Sequence, residues 1–401
     1  MRKGLWRGLP WDGMGWAARS GPGLPALRLS AAREWRAGFP LLLRPLIVLA
    51  DRLGWSLAAF VRTVRFARAV RMRPRAALRL YGDCLASGGS PIEVHVWRAL
   101  HGERHPLPAR SAARLLSRLG DPAGHKLLAD KLALAERLSA HGIALPPLHA
   151  HIPRGSAATL DLLDDAGTGA GVFVKPRHGR GGEGGFAVTR SGTAWHVEGR
   201  PVPAARVLAR LDRVLARDDA LVQPQLVAAD ALADLAVEGR APVLRLATAW
   251  LPGGAPFLHS ALLMLVQPGQ SLRDFLHGMV FAPVDPATGA VSHGVCFARP
   301  RDRVERLGAD GARLAGRRIP DFDAAVALAL RAMAEVPPLA LVHWDIIVTP
   351  SGPILLEGNS AGNWILATLP GLGGLDGGPL APILEQWHAA ARLRLARPRS
   401  I

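Results

Sequence analysis

The chain has 401 residues, 49% of them apolar, and a formal net charge of +17. This length and apolar share allow two or three domains around a sizeable core and exclude global disorder. Two cysteines, Cys84 and Cys296, exclude a disulfide framework and fit a reducing compartment.

The charge is local. Residues 1–80 hold 16 Lys and Arg against 3 Asp and Glu, a net +13 of the +17. The remainder is nearly neutral and offers no basic groove for nucleic acid. Residues 1 to about 38 are rich in Gly, Pro and Trp and read as irregular. Residues from about 40 to 80 read as helix, with Arg62, Arg65, Arg68 and Arg71 at helical spacing beside Phe60, Val61, Val64 and Ala67. Trp6, Trp11, Trp16, Trp35 and Trp55 put five of the eleven tryptophans here. Two readings stand: a helix lying on an anionic membrane, or a solvated face over an ordinary core. Trp, Pro and Gly interrupt the basic N-terminus, so no signal peptide is expected. Phe39 to Phe60 is the most apolar window, but Pro40, Arg44, Pro45, Asp51, Arg52 and Gly54 make it a poor transmembrane span. The expected location is cytoplasmic, with peripheral contact to the inner membrane surface under the first reading.

Pro91 to Leu119 reads as mostly helical. Asp130-Lys131 then opens an amphipathic helix stopped by Gly142, and an extended stretch leads to Pro146. Only Lys3, Lys126, Lys131 and Lys175 are lysine, and three of these four fall between 126 and 175. Lysine is a compact point charge suited to phosphate. Gly171 to Pro176 reads as a strand bearing Lys175, RHGRGGEGG follows, and Phe186 to Arg190 is a second strand. The turn contains Gly179, Gly181, Gly182 and Gly184. Its G-x-G-x-x-G is a weak signal, because the dinucleotide fingerprint requires a helix after the loop, and G-x₄-GK[ST] is absent. A glycine-rich hairpin can instead fold over phosphates, its N–H groups donating to the oxygens. Lys131 reads as either a surface lysine or a phosphate ligand. Val243 to Leu251 reads as a strand carrying Arg245, and Phe322 to Ala334 as a helix ended by Pro337-Pro338. Pro382 to Arg397 reads as a basic terminal helix.

Leu341 to Asn359, LVHWDIIVTPSGPILLEGN, reads as a hairpin. Pro350 presets a turn and Gly352 can take a left-handed conformation. A three-residue loop, Pro350-Ser351-Gly352, pairs Thr349 with Pro353 and puts Asp345 opposite Glu357. Asp345, Glu357 and Asn359 then share one face. Facing carboxylates repel, and a divalent cation removes that objection. Two carboxylates and an amide oxygen suit Mg²⁺ carrying substrate phosphates.

This stretch resembles the C-terminal metal-binding signature of the ATP-grasp ligases. It looks most like the branch related to α-L-glutamate ligases, the sugar-transfer-associated ATP-grasp proteins. His343 departs from the small residue more usual there, adding bulk and leaving the ligands in place. The resemblance extends over about residues 120–375 in a specific order: lysine, lysine plus glycine loop, hinge, arginine, Asp-Glu-Asn. It implies that Lys131 and Lys175 reach nucleotide phosphate and that Arg245 faces the phosphates. It makes Ala220 to Val227 the hinge, with Gln223, Gln225 and Leu226 against the adenine edge. Arg273 to Val291 resembles another segment of the branch, with Met279 where a second glycine is common.

The implied fold is α+β, an ATP-grasp fold whose two α+β subdomains clamp ATP, preceded by a basic helical N-terminal region. The implied divisions are 1–119, 120–226, 227–380 and a basic tail at 381–401. The implied activity is ATP-dependent ligation of a small-molecule carboxylate to an amine or other nucleophile through an acylphosphate, with ATP and Mg²⁺. The branch suggests a glutamate-like amino acid joined to a cell-surface or polysaccharide-linked acceptor. The alternatives are an ATP-grasp kinase acting on a hydroxyl, or a non-enzymatic protein that binds anionic surfaces through residues 1–80.

Overall fold

The structure, a computed structural model, describes residues 40–102, 109–163, 171–179, 184–270, 274–307, 311–360, 362, 366, 369, 371–372 and 380–396. The irregular reading of residues 1–38, the loop glycines Gly181 and Gly182, and Arg273 fall outside these residues.

Three helices open the described chain: α1 (Arg44–Ala69), α2 (Pro74–Ser87) and α3 (Pro91–His101). Each has proline in its first turn, where a missing N–H costs no intrahelical bond. The single helix expected to residue 80 is thus two. Pro74 disfavours the α conformation at Arg73, which is extended, and Arg71 turns left-handed at φ 53°. Arg71 therefore leaves the stripe shared by Arg62, Arg65 and Arg68. Trp55, Ala59 and Phe66 of α1 pack with Leu80, Cys84, Val94 and Trp97. Trp55 is fully buried and donates its indole N–H to the Cys84 carbonyl at 3.3 Å. It is a core residue, as the reading of a solvated face over an ordinary core expects. The other four N-terminal tryptophans lie outside the described residues.

After α4 (Ala109–Leu116) come α5 (Pro122–Ala129) and α6 (Lys131–Ser139). Asp121 caps α5, and Asp130 caps α6 by accepting from the Leu132 and Ala133 N–H groups, each at 3.2 Å.

The first sheet comprises β1 (Ala150–Ile152), β2 (Val172–Pro176), β3 (Phe186–Ser191), β4 (Ala194–Val197), β5 (Arg200–Val202) and β6 (Ala220–Pro224). Its order is β1-β6-β2-β3-β4-β5, all antiparallel. One face packs Val172, Val174, Ala220 and Val222 against Val207, Leu211, Val214 and Leu215 of α7 (Ala204–Leu215). Alternation turns Phe173, Lys175, Leu221 and Gln223 to the other face. In register, Phe173 pairs with Gln223 and Lys175 with Leu221.

A short α8 (Asp230–Ala233) leads to the second sheet, built from β7 (Val243–Trp250), β8 (Pro256–Val266), β9 (Met279–Val284), β10 (Gly294–Cys296) and β11 (Arg299–Val304). A ribbon of β12 (Arg306–Leu307) and β13 (Ala312–Arg313) precedes α9 (Phe322–Glu335). The hairpin of β14 (Leu341–Thr349) and β15 (Gly352–Asn359) completes the sheet, in the antiparallel order β11-β10-β9-β8-β7-β14-β15. Leu244, Leu246, Val342, Trp344 and Ile346 share a core with Ala325, Ala329, Ala332 and Met333 of α9. At the start of β14 the other face is covered too: Ala247, Ala249 and Leu341 pack with Leu115 and Leu116 of α4. Leu384 and Trp387 of the terminal helix α10 (Leu380–Ala396) join them. Cover on both faces explains the nearly unbroken apolar run of β14.

The hairpin turns differently from the expected loop. Thr349 pairs with Gly352 and Val348 with Pro353, so the loop is only Pro350-Ser351. The Thr349 hydroxyl closes it, donating to the Gly352 carbonyl at 2.8 Å and accepting from the Ser351 N–H at 3.3 Å. The register then shifts between Asp345 and Ile346, where Ile346 pairs with Leu355 and Asp345 with Glu357. Leu356 is the extra, bulged residue. The shorter loop and the bulge offset one another, so Asp345 still faces Glu357.

Gly358 shows how closely the hairpin approaches the core. A Cβ there would lie 2.5 Å from Cζ3 of Trp344 and 2.8 Å from Cδ2 of Leu128. Trp344 is fully buried and donates to the Thr248 hydroxyl at 2.8 Å, so it has little freedom to yield. Gly358→Ala should destabilise the protein by about 1–3 kcal/mol through overpacking. Urea denaturation measures this, and an unchanged midpoint would show that Trp344 can move aside.

Candidate active site

Three strands of the second sheet and two segments of the first half of the chain meet at one place. On β14, Asp345 pairs in register with Arg245 of β7 on one side and Glu357 of β15 on the other. The Arg245 guanidinium grips Asp345 with both prongs, Nε to Oδ1 at 2.6 Å and Nη2 to Oδ2 at 2.7 Å. Burial works against the arginine charge, but Asp345 and Glu357 outweigh it and raise its pKa. Asn359 donates from Nδ2 to Oε1 of Glu357 at 3.2 Å. His343, two residues before Asp345, pairs in register with Asn359. Burial, with Arg245 and His259 adding to it, pushes its imidazole down to about 3, so this ring is neutral.

Two lysines approach from the other side. Lys175 of β2 donates to the Leu356 carbonyl at 3.4 Å. That carbonyl belongs to the bulged residue, which has no in-register partner on β14. Lys131, at the start of α6, donates to the Gly179 carbonyl at 3.0 Å and lies 3.9 Å from Oε2 of Glu357. It therefore stands between the glycine-rich turn and the carboxylates. Lys126 is exposed and faces solvent.

The glycine-rich turn joins two antiparallel strands, with Val174 pairing with Phe186, and no helix follows it. Gly179 and Gly184 take φ values of 126° and 83°, a region that L side chains avoid. At the expected hinge, the Gln223 side chain is buried and donates to the Pro146 carbonyl at 3.2 Å. Gln225 is likewise engaged: its N–H goes to Gly171 at 2.8 Å and its side-chain amide to Gly239 at 2.6 Å. Leu226 follows, partly buried. The Gln223 and Gln225 side chains thus each bond to the backbone of a neighbouring segment.

Sequence reasoning missed a second ion network behind the lysines. Arg177 forks onto Asp130, Nε to Oδ1 at 2.8 Å and Nη2 to Oδ2 at 2.7 Å, and reaches Asp219 at 3.3 Å. His178 meets Asp218 at 2.9 Å, and His151 meets Asp219 at 2.9 Å. The Arg177 hydrogen bonds hold the Asp130 carboxyl down at about 2, and His151 and its neighbours do the same for Asp219. Asp130 thus caps the helix of Lys131 while it clamps the root of the glycine loop. Its capping role is legible from the Asp-Lys pair, but its partner is 47 residues away.

The donor set can be tested against a divalent cation. Among the described residues no group of three or more His, Cys, Asp or Glu could hold a metal. Asp345, Glu357 and Asn359 supply only two carboxylates and an amide. Such a sparse all-oxygen set fits Mg²⁺, which keeps waters and takes further oxygens from phosphate. The Arg245 fork uses one lone pair on each Asp345 oxygen and leaves others. Three cations, Lys131, Lys175 and Arg245, surround two carboxylates, a net positive charge that a polyanion would complement.

Comparison with known proteins follows from this geometry. The family model for sugar-transfer associated ATP-grasp matches residues 110–376. The chain belongs to the sugar-transfer associated ATP-grasp family. The match takes in every site residue expected from Lys131 to Asn359 and excludes α1 to α3. No curated protein sequence matches the chain. Among solved structures, the D-Ala:D-Ser ligase VanG from Enterococcus faecalis is 12% identical, with a TM-score of 0.42 over 68% of this chain and 64% of that one. The chain thus spans slightly less than two thirds of that ligase. A D-alanine–D-alanine ligase from Bacillus anthracis, complexed with ATP, is 11% identical, with a TM-score of 0.39 over 70% of each chain. An N5-carboxyaminoimidazole synthase from Aspergillus clavatus, in complex with ADP and its ribonucleotide, is 10% identical, with a TM-score of 0.36 over 63% of this chain and 50% of that one.

Burial pushes the Lys175 ammonium from its usual 10.5 down to about 8, while Glu357 opposes the shift and Lys131 adds to it. Between those two values the folded protein binds fewer protons at this group than the unfolded chain does. Stability contributed by this group therefore rises as pH climbs through that window. Urea midpoints at pH about 7.5 and about 9.5 should show a rise in the wild type that Lys175→Met reduces. An identical pH response in the two proteins would show that Lys175 is not desolvated.

Proposed function

We propose that the protein is an ATP-dependent ligase that activates a carboxylate as its acylphosphate. The observation that carries this reading is the convergence of Lys131, Lys175 and Arg245 on the Asp345–Glu357 pair, between the two sheets. In this reading the sheets belong to subdomains 120–226 and 227–380, and ATP lies between them with its base near Gln223, Gln225 and Leu226. Gly179, Gly181, Gly182 and Gly184 cover the phosphates. A carboxylate oxygen of the substrate attacks the γ-phosphorus, the bond to the β-phosphate oxygen breaks, and ADP leaves. An amine then attacks the acyl carbon, phosphate departs and the amine proton passes to solvent. Lys131 and Lys175 neutralise phosphate oxygens, and Arg245 both does so and holds Asp345 in place. Asp345, Glu357 and Asn359 would hold Mg²⁺, which supplies charge neutralisation at the phosphates when bound. His343, neutral and buried, keeps water out beside Asn359.

The family's association with sugar transfer supports an amino acid, glutamate-like, joined to a cell-surface or polysaccharide-linked acceptor. Such an acceptor gives a purpose to peripheral contact between residues 1–80 and an anionic membrane. No helix among the described residues is long and apolar enough to cross a membrane.

The test is ADP release screened over pairs of carboxylates and amines, with hydroxylamine to trap the acylphosphate as a hydroxamate. ADP release that needs only a hydroxyl compound, with no hydroxamate, would replace the ligase with a kinase. Glu357→Gln should lower turnover by about 10²-fold or more at saturating Mg²⁺, because it removes a charge that the metal and phosphates use. Lys175→Ala should weaken ATP binding and slow transfer, whereas Lys126→Ala should do neither. Equal effects from the two lysines would show that the phosphates bind elsewhere.

A further inference from the structure

Helix α1 presents two faces. Asp51, Trp55, Ala59, Thr63 and Phe66 are buried, and Trp55, Ala59 and Phe66 pack with residues of α2 and α3. Away from that seam Leu46, Leu49, Leu53, Leu57 and Phe60 recur every three or four residues and form one stripe, which ends at Phe60 where that ring meets Tyr81 of α2 edge-on. They are 63%, 53%, 63%, 67% and 52% exposed. An ordinary surface helix buries its leucines and shows its acids. This one shows its leucines and buries Asp51, which is only 4% exposed.

We propose that this stripe is the face on which the protein rests against an anionic phospholipid membrane. The helix lies in the membrane plane, and the leucines enter the boundary between headgroups and acyl chains. The proposal rests on the peripheral contact suggested above and assigns it to one face of α1. Charge decides the occupant. Residues 40–80 hold nine arginines and one acid, a net +8. A second copy of the chain would bring an equal positive charge against the first. A neutral bilayer would offer no negative surface to this net charge. An anionic bilayer offers both an apolar interior and a negative surface, and each arginine near it adds attraction that salt screens. Arg65 and Arg68, both exposed, continue α1 beyond Phe60 and would lie at the headgroups.

Flotation of the full chain tests this, using phosphatidylcholine vesicles with and without phosphatidylglycerol. The variant is the triple substitution Leu49→Gln, Leu53→Gln and Leu57→Gln, because glutamine keeps helix propensity close to leucine. The wild type should float with phosphatidylglycerol vesicles at low salt and remain behind with phosphatidylcholine alone. The triple variant should lose about tenfold or more in partitioning, with its circular dichroism, urea midpoint and ADP release unchanged. Equal flotation of variant and wild type would overturn the stripe and leave membrane contact through another surface standing. A wild type that never floats would overturn both, and ADP release would report on the ligase reading separately. A concentration-dependent dimer that the substitutions abolish, without flotation, would assign the stripe to a second copy.

Discussion

One extra residue in β15 organises the charged cluster. A two-residue turn, continued without interruption, would pair Asp345 with Leu356 and send Glu357 to the wrong face. The bulge at Leu356 restores the pairing of Asp345 with Glu357. It also leaves Leu356 without an in-register partner on β14, and Lys175 from the other sheet donates to its carbonyl oxygen. A local irregularity therefore does two things. It sets the face of the carboxylates, and it links the sheet that carries them to the sheet that carries the glycine loop.

Electrostatics explains how the cluster holds together. Asp345 and Glu357 face one another, an arrangement that costs energy in a bare sheet. Arg245 takes both oxygens of one carboxylate, and Lys131 stands 3.9 Å from the other. Burial in turn strains Lys175, whose ammonium is held down at about 8. A desolvated cation gains from a neighbouring anion, and Glu357 opposes the shift at Lys175. Behind it, Asp130 ties the cap of α6 to Arg177, and the position of Lys131 is coupled to the root of the glycine loop.

The N-terminal helices follow a different logic. Their core is small and built around Trp55 and Trp97, both almost wholly buried. The arginine spacing that suggested a continuous helix stops at Arg71, because Pro74 ends α1 early and restarts the chain as α2. The leucines of α1, which look like core residues in sequence, remain outside because Trp55 and Phe66 already fill the seam with α2 and α3.

Local chemistry was legible along the chain. Asp130-Lys131 at a helix start and Lys175 before a glycine-rich hairpin follow from short-range rules of capping and alternation, whereas Asp345 opposite Glu357 is reached through a loop that the structure replaces with a shorter turn and a bulge. The ordered set also sufficed to mark the family resemblance. Fine register was not legible, since a loop one residue shorter and a bulge one residue longer cancel in any count along the hairpin. Long-range pairings were hidden altogether. Arg245 and Asp345 are 100 residues apart, Asp130 and Arg177 are 47 apart, and no local pattern marks either as a partner. The sequence by itself determined which residues carry charge, where the elements that bear Lys131, Lys175, Arg245, Asp345 and Glu357 lie, and which face of those elements the charges share. Only the tertiary structure decided which charges meet and which leucines stay exposed, because strand order and helix packing depend on contacts between segments that no local periodicity encodes.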